Sequence, residues 1–138
     1  MSMHARVIRV LALLCVFAVV PLAEAARSGT YRCILEVPQG GIGWILQYNP
    51  NSIPQTVTRV RVWNAAGEFL DTGTIAQEIP ANGSDVVFFW DGTADGFVGD
   101  GFQVVVDWTQ SQDKPAPLPR ADMLPDGTLA STVRQSCP

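Results

Sequence analysis

Between Ala26 and Pro138 no apolar pattern of helical period lasts long enough to bury one face of a helix, whereas runs of four to eight β-branched and aromatic residues recur between clusters of Gly, Pro, Asn and Asp. A chain of this kind can bury its apolar side chains only by pairing strands. The pattern predicts an all-β fold. Tyr31 to Val37 alternates, with Tyr31, Cys33, Leu35 and Val37 on one face and Arg32, Ile34 and Glu36 on the other. Trp44 to Tyr48 follows the turn at Pro38–Gly43. In Val57 to Trp63, Thr58, Val60 and Val62 point one way and Arg59, Arg61 and Trp63 the other. A turn at Asn64–Gly67 leads into the return strand of a hairpin at Glu68–Leu70, and a weaker strand at Thr74–Ile79 stops at Pro80. Val86–Trp90 and Phe102–Trp108 carry the strongest strand signal and are expected at the centre of the core. The proline-rich stretch Lys114–Pro125 is expected to be an extended connection or an edge. Leu129–Ser136 supplies a last strand.

The first 25 residues read differently. Arg6 and Arg9 precede the unbroken apolar run Val10–Val20, Pro21 breaks any helix, and Ala23-Glu-Ala25 gives a small-x-small cleavage site. An apolar run of eleven is about half of what a membrane span needs. Residues 1–25 are therefore expected to be a cleaved signal peptide, and residues 26–138 one domain of a secreted or periplasmic protein with no membrane span. Removing Arg6, Arg9 and Glu24 from nine basic and thirteen acidic residues leaves seven and twelve. That balance, with no basic cluster, argues against a nucleic-acid surface.

Cleavage also removes Cys15 and leaves Cys33 and Cys137, which should close as a disulfide in an oxidising compartment. The one histidine, His4, is removed as well. Without His or a free thiol, the domain lacks most routes to an activated nucleophile. Glu36, Glu68, Asp71, Glu78, Asp85 and Asp107 could form a carboxylate pair by number alone, but nothing selects one. No enzyme is expected.

Two ligand readings remain. Asp91, Thr93 and Asp95 before Gly96 follow the opening spacing of a calcium loop, to which Asp100 could add a ligand. Position twelve is Phe102 rather than an acid, which excludes an EF-hand. Calcium is thus the one cofactor to test, against a plain turn in which Asp caps and Gly supplies positive φ. Four tryptophans invite a binding surface. Trp90 and Trp108 belong to apolar strands and are expected in the core, which leaves Trp63 with Arg59 and Arg61, and Trp44 and Phe97 beside glycines, as a ligand or partner surface. Asn82-Gly-Ser84 is a glycosylation sequon, relevant only in a host that uses it.

Two segments carry a family resemblance. Val60-Arg-Val-Trp-Asn-Ala-Ala-Gly67, and Trp90-Asp-Gly92 continuing to Gly101-Phe102, resemble the immunoglobulin-like repeat of the flagellar hook-capping protein and of carboxy-terminal modules in secreted bacterial proteins. The similarity runs over roughly residues 57–107, and the cysteine pair lies outside it. It implies a single immunoglobulin-like antiparallel β-sandwich with a structural or adhesive role. The resulting expectation is a non-catalytic binding or assembly module that engages a protein partner or itself. The alternative is a small-ligand protein that binds carbohydrate or calcium.

Overall fold

The computed structural model describes residues 25–37, 40–64, 66–91, 99–125 and 132–138. Its longest strand, β7 (Gly99–Gln110), pairs antiparallel on both sides, with β1 (Arg27–Val37) and with β3 (Gln55–Trp63). Phe102, Val104, Val106 and Trp108 are all at most 5% exposed and face inward, and Val105 is buried on the other face between Arg32 and Arg61. β4 (Phe69–Asp71) and β5 (Gln77–Ile79) pair successively along the far side of β3, completing a five-stranded sheet. The second sheet has the order β6-β2-β8-β9, formed by β6 (Ser84–Asp91), β2 (Ile42–Tyr48), β8 (Leu118–Leu124) and β9 (Val133–Gln135). The two antiparallel sheets pack as a sandwich around Leu35, Ile45, Val57, Ile79, Phe102 and Ala121, all fully buried. Among the described residues there is no helix, and none that could cross a membrane. Residues 1–24 lie outside the described residues, so the signal peptide remains an expectation.

One flank of the sandwich is closed covalently. Ile34 on β1 donates its N–H to the carbonyl of Ser136 at 2.8 Å, just beyond β9, so the edges of the two sheets meet there. The next residue, Cys137, forms a disulfide with the fully buried Cys33 across a sequence separation of 104. For a loop of that length, chain entropy alone gives on the order of 4–5 kcal/mol.

A chain of buried amides crosses between the sheets at one end. Tyr31 Oη donates to Gln47 Oε1 (2.6 Å), Gln47 Nε2 to Gln55 Oε1 (3.4 Å), Gln55 Nε2 to Gln110 Oε1 (3.0 Å), and Gln110 Nε2 to the Lys114 carbonyl (2.6 Å). Asn51 Nδ2 joins the same Gln110 oxygen and the Pro115 carbonyl. Asn49 accepts the Asn51 N–H and donates to the carbonyl of Ile53. These amides fix the crossover from β2 to β3 without leaving a buried donor unmet. Burial pushes the Tyr31 hydroxyl well above its ordinary range, so it stays a donor.

Three expectations change. Val86–Trp90 is not central: β6 is the edge of its sheet, with Val87 and Trp90 turned in and Phe89 55% exposed. Part of the proline-rich stretch is β8, flanked by β2 and β9. Proline is tolerated there because β9 covers only Ala121–Met123, and Pro119 lies on the uncovered part. In β3, a register shift between Val57 and Arg59 brings Val57 into the core with Val60 and Val62. Simple alternation would have placed Val57 opposite them, and it is Val57 rather than Thr58 that is fully buried.

Two variants test this packing. A Cβ on Gly29 would lie 2.6 Å from Cζ2 of Trp108, a buried ring with the Arg27 guanidinium 5.8 Å above it. Gly29→Ala should therefore lower the unfolding free energy by about 1–3 kcal/mol in urea titration. Tyr31→Phe leaves the Gln47 oxygen unmet and should cost about 1–3 kcal/mol at pH 7. The raised folded-state pKa of Tyr31 sets the sign of the pH dependence: its contribution is full below pH about 10 and falls as pH rises further, because only the unfolded chain releases the proton. The gap between wild type and Tyr31→Phe should shrink above pH 10, and a constant gap would contradict the burial of this hydroxyl.

Candidate functional site

The outer faces of the two sheets differ in chemistry. On the five-stranded sheet, register places Arg32, Val105 and Arg61 in one row and Ile34, Gln103, Trp63 and Phe69 in the next. Arg61 Nη2 binds both oxygens of Asp107 at 2.9 and 3.1 Å, and Thr30 Oγ1 donates to the same carboxylate. Arg59 forms a fork with Asp71, whose pKa is lowered to about 2, first by that bond and then by the Gly73 N–H. Arg59 and Arg61 are thus each matched by a carboxylate, although Arg61 Nε makes no hydrogen bond and Arg32 has no ion pair among the described residues. Trp63 stacks on Phe69 across the hairpin, with ring centroids 4.9 Å apart. Gly67, at φ +78°, lets Asn64 and Glu68 close the turn.

The outer face of the four-stranded sheet is mostly apolar. Gln47 reaches inward to Tyr31 and Gln55, which fixes the pleat of β2 and turns Ile42, Trp44, Leu46 and Tyr48 outward. Register sets Phe89 beside Trp44, Val86 beside Leu46, and Leu118 beside Tyr48. Tyr48, Val86, Phe89 and Leu118 are 42–58% exposed, and Trp44 and Leu46 are half-buried. An antiparallel sheet that meets water normally alternates polar outward. Here β2 does the reverse along its length and β6 does so at Val86 and Phe89, while β8 sets Leu118 outward next to Arg120 and Asp122. Exposed apolar side chains grouped in this way are a feature that interaction surfaces share.

Two carboxylates lie in the same register, Asp91 opposite Ile42 at the end of β6 and Asp122 within β8. Asp122 lies opposite Trp44 and is 4% exposed, with Oδ2 accepting from Arg120 Nε at 2.9 Å. Arg134 Nε stands 3.4 Å from Oδ1, an ion-pair distance that still leaves this oxygen without a hydrogen bond. Arg120 stands opposite Leu46 within the patch, and Arg134, opposite Asp122 on β9, borders it.

At the open flank, opposite the disulfide, a cleft of about 410 Å³ separates β6 from β3 and β4. Val60, Val62, Ile75, Phe88 and Trp90 supply its apolar walls, and Phe89 links it to the outer patch. The bond from Ile75 N to Thr58 O holds the β4–β5 connection against β3. Among the described residues no such strand covers the edge of β6, although Gln77 Nε2 caps the Val86 carbonyl at 2.8 Å.

The expected site residues do not converge. Trp63, Arg59 and Arg61 lie on the outer face of the five-stranded sheet, and Trp44 lies on the opposite outer face, so they cannot share one ligand. Phe97, Thr93 and Asp95 fall outside the described residues. Asp91 ends β6 and Asp100 belongs to β7. Among the described residues no cluster of three acidic, His or Cys side chains could hold a metal. Asn82 sits in the turn before β6 with φ 55°, its N–H on the Asn51 carbonyl. Trp90 and Trp108, 8% and 5% exposed, are core residues as expected.

The apolar face was missed because it is spread over β6, β2 and β8. The available signal was Ile42, Trp44, Leu46 and Tyr48 alternating with Gly43, Ile45 and Gln47, of which Ile45 blurs the pattern. No protein-family model, curated protein or solved structure matches the chain.

Proposed function

We propose that this chain is an exported, non-catalytic binding or assembly module of the cell envelope or extracellular space, which engages a protein partner or a second copy through the apolar outer face of the β6-β2-β8 sheet. The observation that carries this reading is the contrast between the two outer faces. One pairs Arg59 and Arg61 with carboxylates, while the other groups Phe89, Trp44, Leu46, Val86, Tyr48 and Leu118 beside the Arg120–Asp122 pair. The export signal in the sequence and the Cys33–Cys137 disulfide support the compartment. The hook-capping resemblance of residues 57–107 supports an adhesive role. The open edge of β6 adds a second mode of contact, in which a strand extends the sheet.

The small-ligand alternative, calcium in particular, is separable: calcium should raise the melting temperature if residues 91–100 bind it and leave it unchanged if they do not. Phe89→Asp and Leu118→Lys alter side chains that are 55% and 58% exposed, so stability should move by no more than about 0.5 kcal/mol. Each should weaken partner capture or self-association at least tenfold. Light scattering across a concentration series and co-purification from the producing cells read this out. Unchanged complexes in both variants would contradict the assignment.

A further inference from the structure

The outer face of the five-stranded sheet carries one guanidinium outside its matched pairs. Arg59 and Arg61 each hold a carboxylate, and Arg27 donates to the Lys114 carbonyl. Arg32 has no hydrogen-bond or ion-pair partner among the described residues, and Glu36, on the same face of β1, makes no ion pair with it. Arg32 borders a hollow of about 410 Å³ together with Trp63, Asn64, Gly67 and Gln103.

Each of these residues has a defined state. Gln103 lies between Ile34 and Trp63 in the strand register, exposed, with its side-chain amide unbonded among the described residues. Phe69 backs the Trp63 ring, which limits its rotation. The Asn64 amide is taken up by Glu68: its oxygen accepts the Glu68 N–H, and its nitrogen donates to the Glu68 carboxylate at 3.3 Å. Gly67 leaves the rim open, with nothing within 4 Å of where a Cβ would stand. The hollow therefore combines a braced indole plane, an unmatched planar cation and a free amide.

We propose that this hollow binds a carboxylated sugar, a hexuronate free or within a polysaccharide. The ring's apolar face would stack on Trp63. Its carboxylate would take the guanidinium of Arg32 in a two-bond fork, and a hydroxyl would meet the Gln103 amide. Long-range attraction cannot account for such binding, because the chain carries a net charge of −4 and repels anions as a whole. The contacts must be local. This site is independent of the apolar face on the other sheet and stands or falls apart from it.

The test is a titration of the disulfide-closed protein with trigalacturonate, and with the neutral galactose trimer at equal ionic strength, followed by 1H–15N spectra. The indole N–H of Trp63 is identified from its loss in Trp63→Phe. The acidic sugar should shift that signal with a dissociation constant of about 0.1–1 mM, and the neutral trimer should bind at least tenfold more weakly. Arg32→Gln should abolish the preference for acid, whereas Arg32→Lys should restore part of it. Trp63→Ala should weaken binding at least tenfold, and Trp63→Phe much less. Free galacturonate tests the monosaccharide source, and a response to the trimer alone assigns the site to polymer. Near-UV circular dichroism confirms that each variant is folded. No shift with either acidic sugar, equal binding of acidic and neutral trimers, or unchanged binding in Arg32→Gln would overturn the proposal.

Discussion

The meeting of β1 with the end of the chain is the constraint on which the rest of the sandwich depends. Cys33 sits in the middle of the first strand, fully buried, and Cys137 is the penultimate residue. The disulfide and the Ile34–Ser136 bridge join the two sheets along one flank. Without them, β9 would hold to β8 through only three residue pairs. Because the closure comes on that side, the opposite flank stays open. β6 and the β4–β5 edge face each other there across the apolar cleft.

The end of the sandwich beyond the disulfide is held by different physics. Tyr31, Gln47, Gln55 and Gln110 exchange hydrogen bonds between the sheets, where a purely apolar core would leave the crossover at Asn49–Gln55 free to slide. Such a network specifies one arrangement because any shift leaves several buried amides unmet together. It also fixes the pleat of β2. Gln47 must point inward, so Trp44, Leu46 and Tyr48 must point out. The apolar outer face is thus a consequence of how the core is satisfied.

Much of the fold could be read from residue order. The alternation in Tyr31–Val37 and Phe102–Trp108, the Asn64–Gly67 turn and the cysteine pair all predicted what the sandwich contains, since each depends on neighbours in sequence or on chemistry that admits one outcome. Strand order could not be read in this way. Val86–Trp90 is apolar on both faces, a pattern that fits a strand buried on both sides as well as an edge strand with a docking face. Pro119 looked incompatible with an interior strand, because the sequence does not show that β9 stops short of it. The separation of Trp44 from Trp63 onto opposite faces follows from sheet membership, which no local pattern encodes. Gln47, Gln55 and Gln110 looked like ordinary polar positions, and only the pairing of sheets makes them one network.

On the proposed reading, the apolar side chains of β6, β2 and β8 leave water when the partner binds, while the outer face of the five-stranded sheet does not. Hydroxyl-radical footprinting can compare Trp44, Tyr48, Phe89 and Leu118 in material from the producing cells with the same residues in the dilute purified protein. Phe69, 49% exposed on the other sheet, serves as the solvated reference. The account predicts that labelling of the first four falls several-fold in the cellular material while Phe69 reacts equally in both. Equal labelling of the apolar face in the two samples would contradict it.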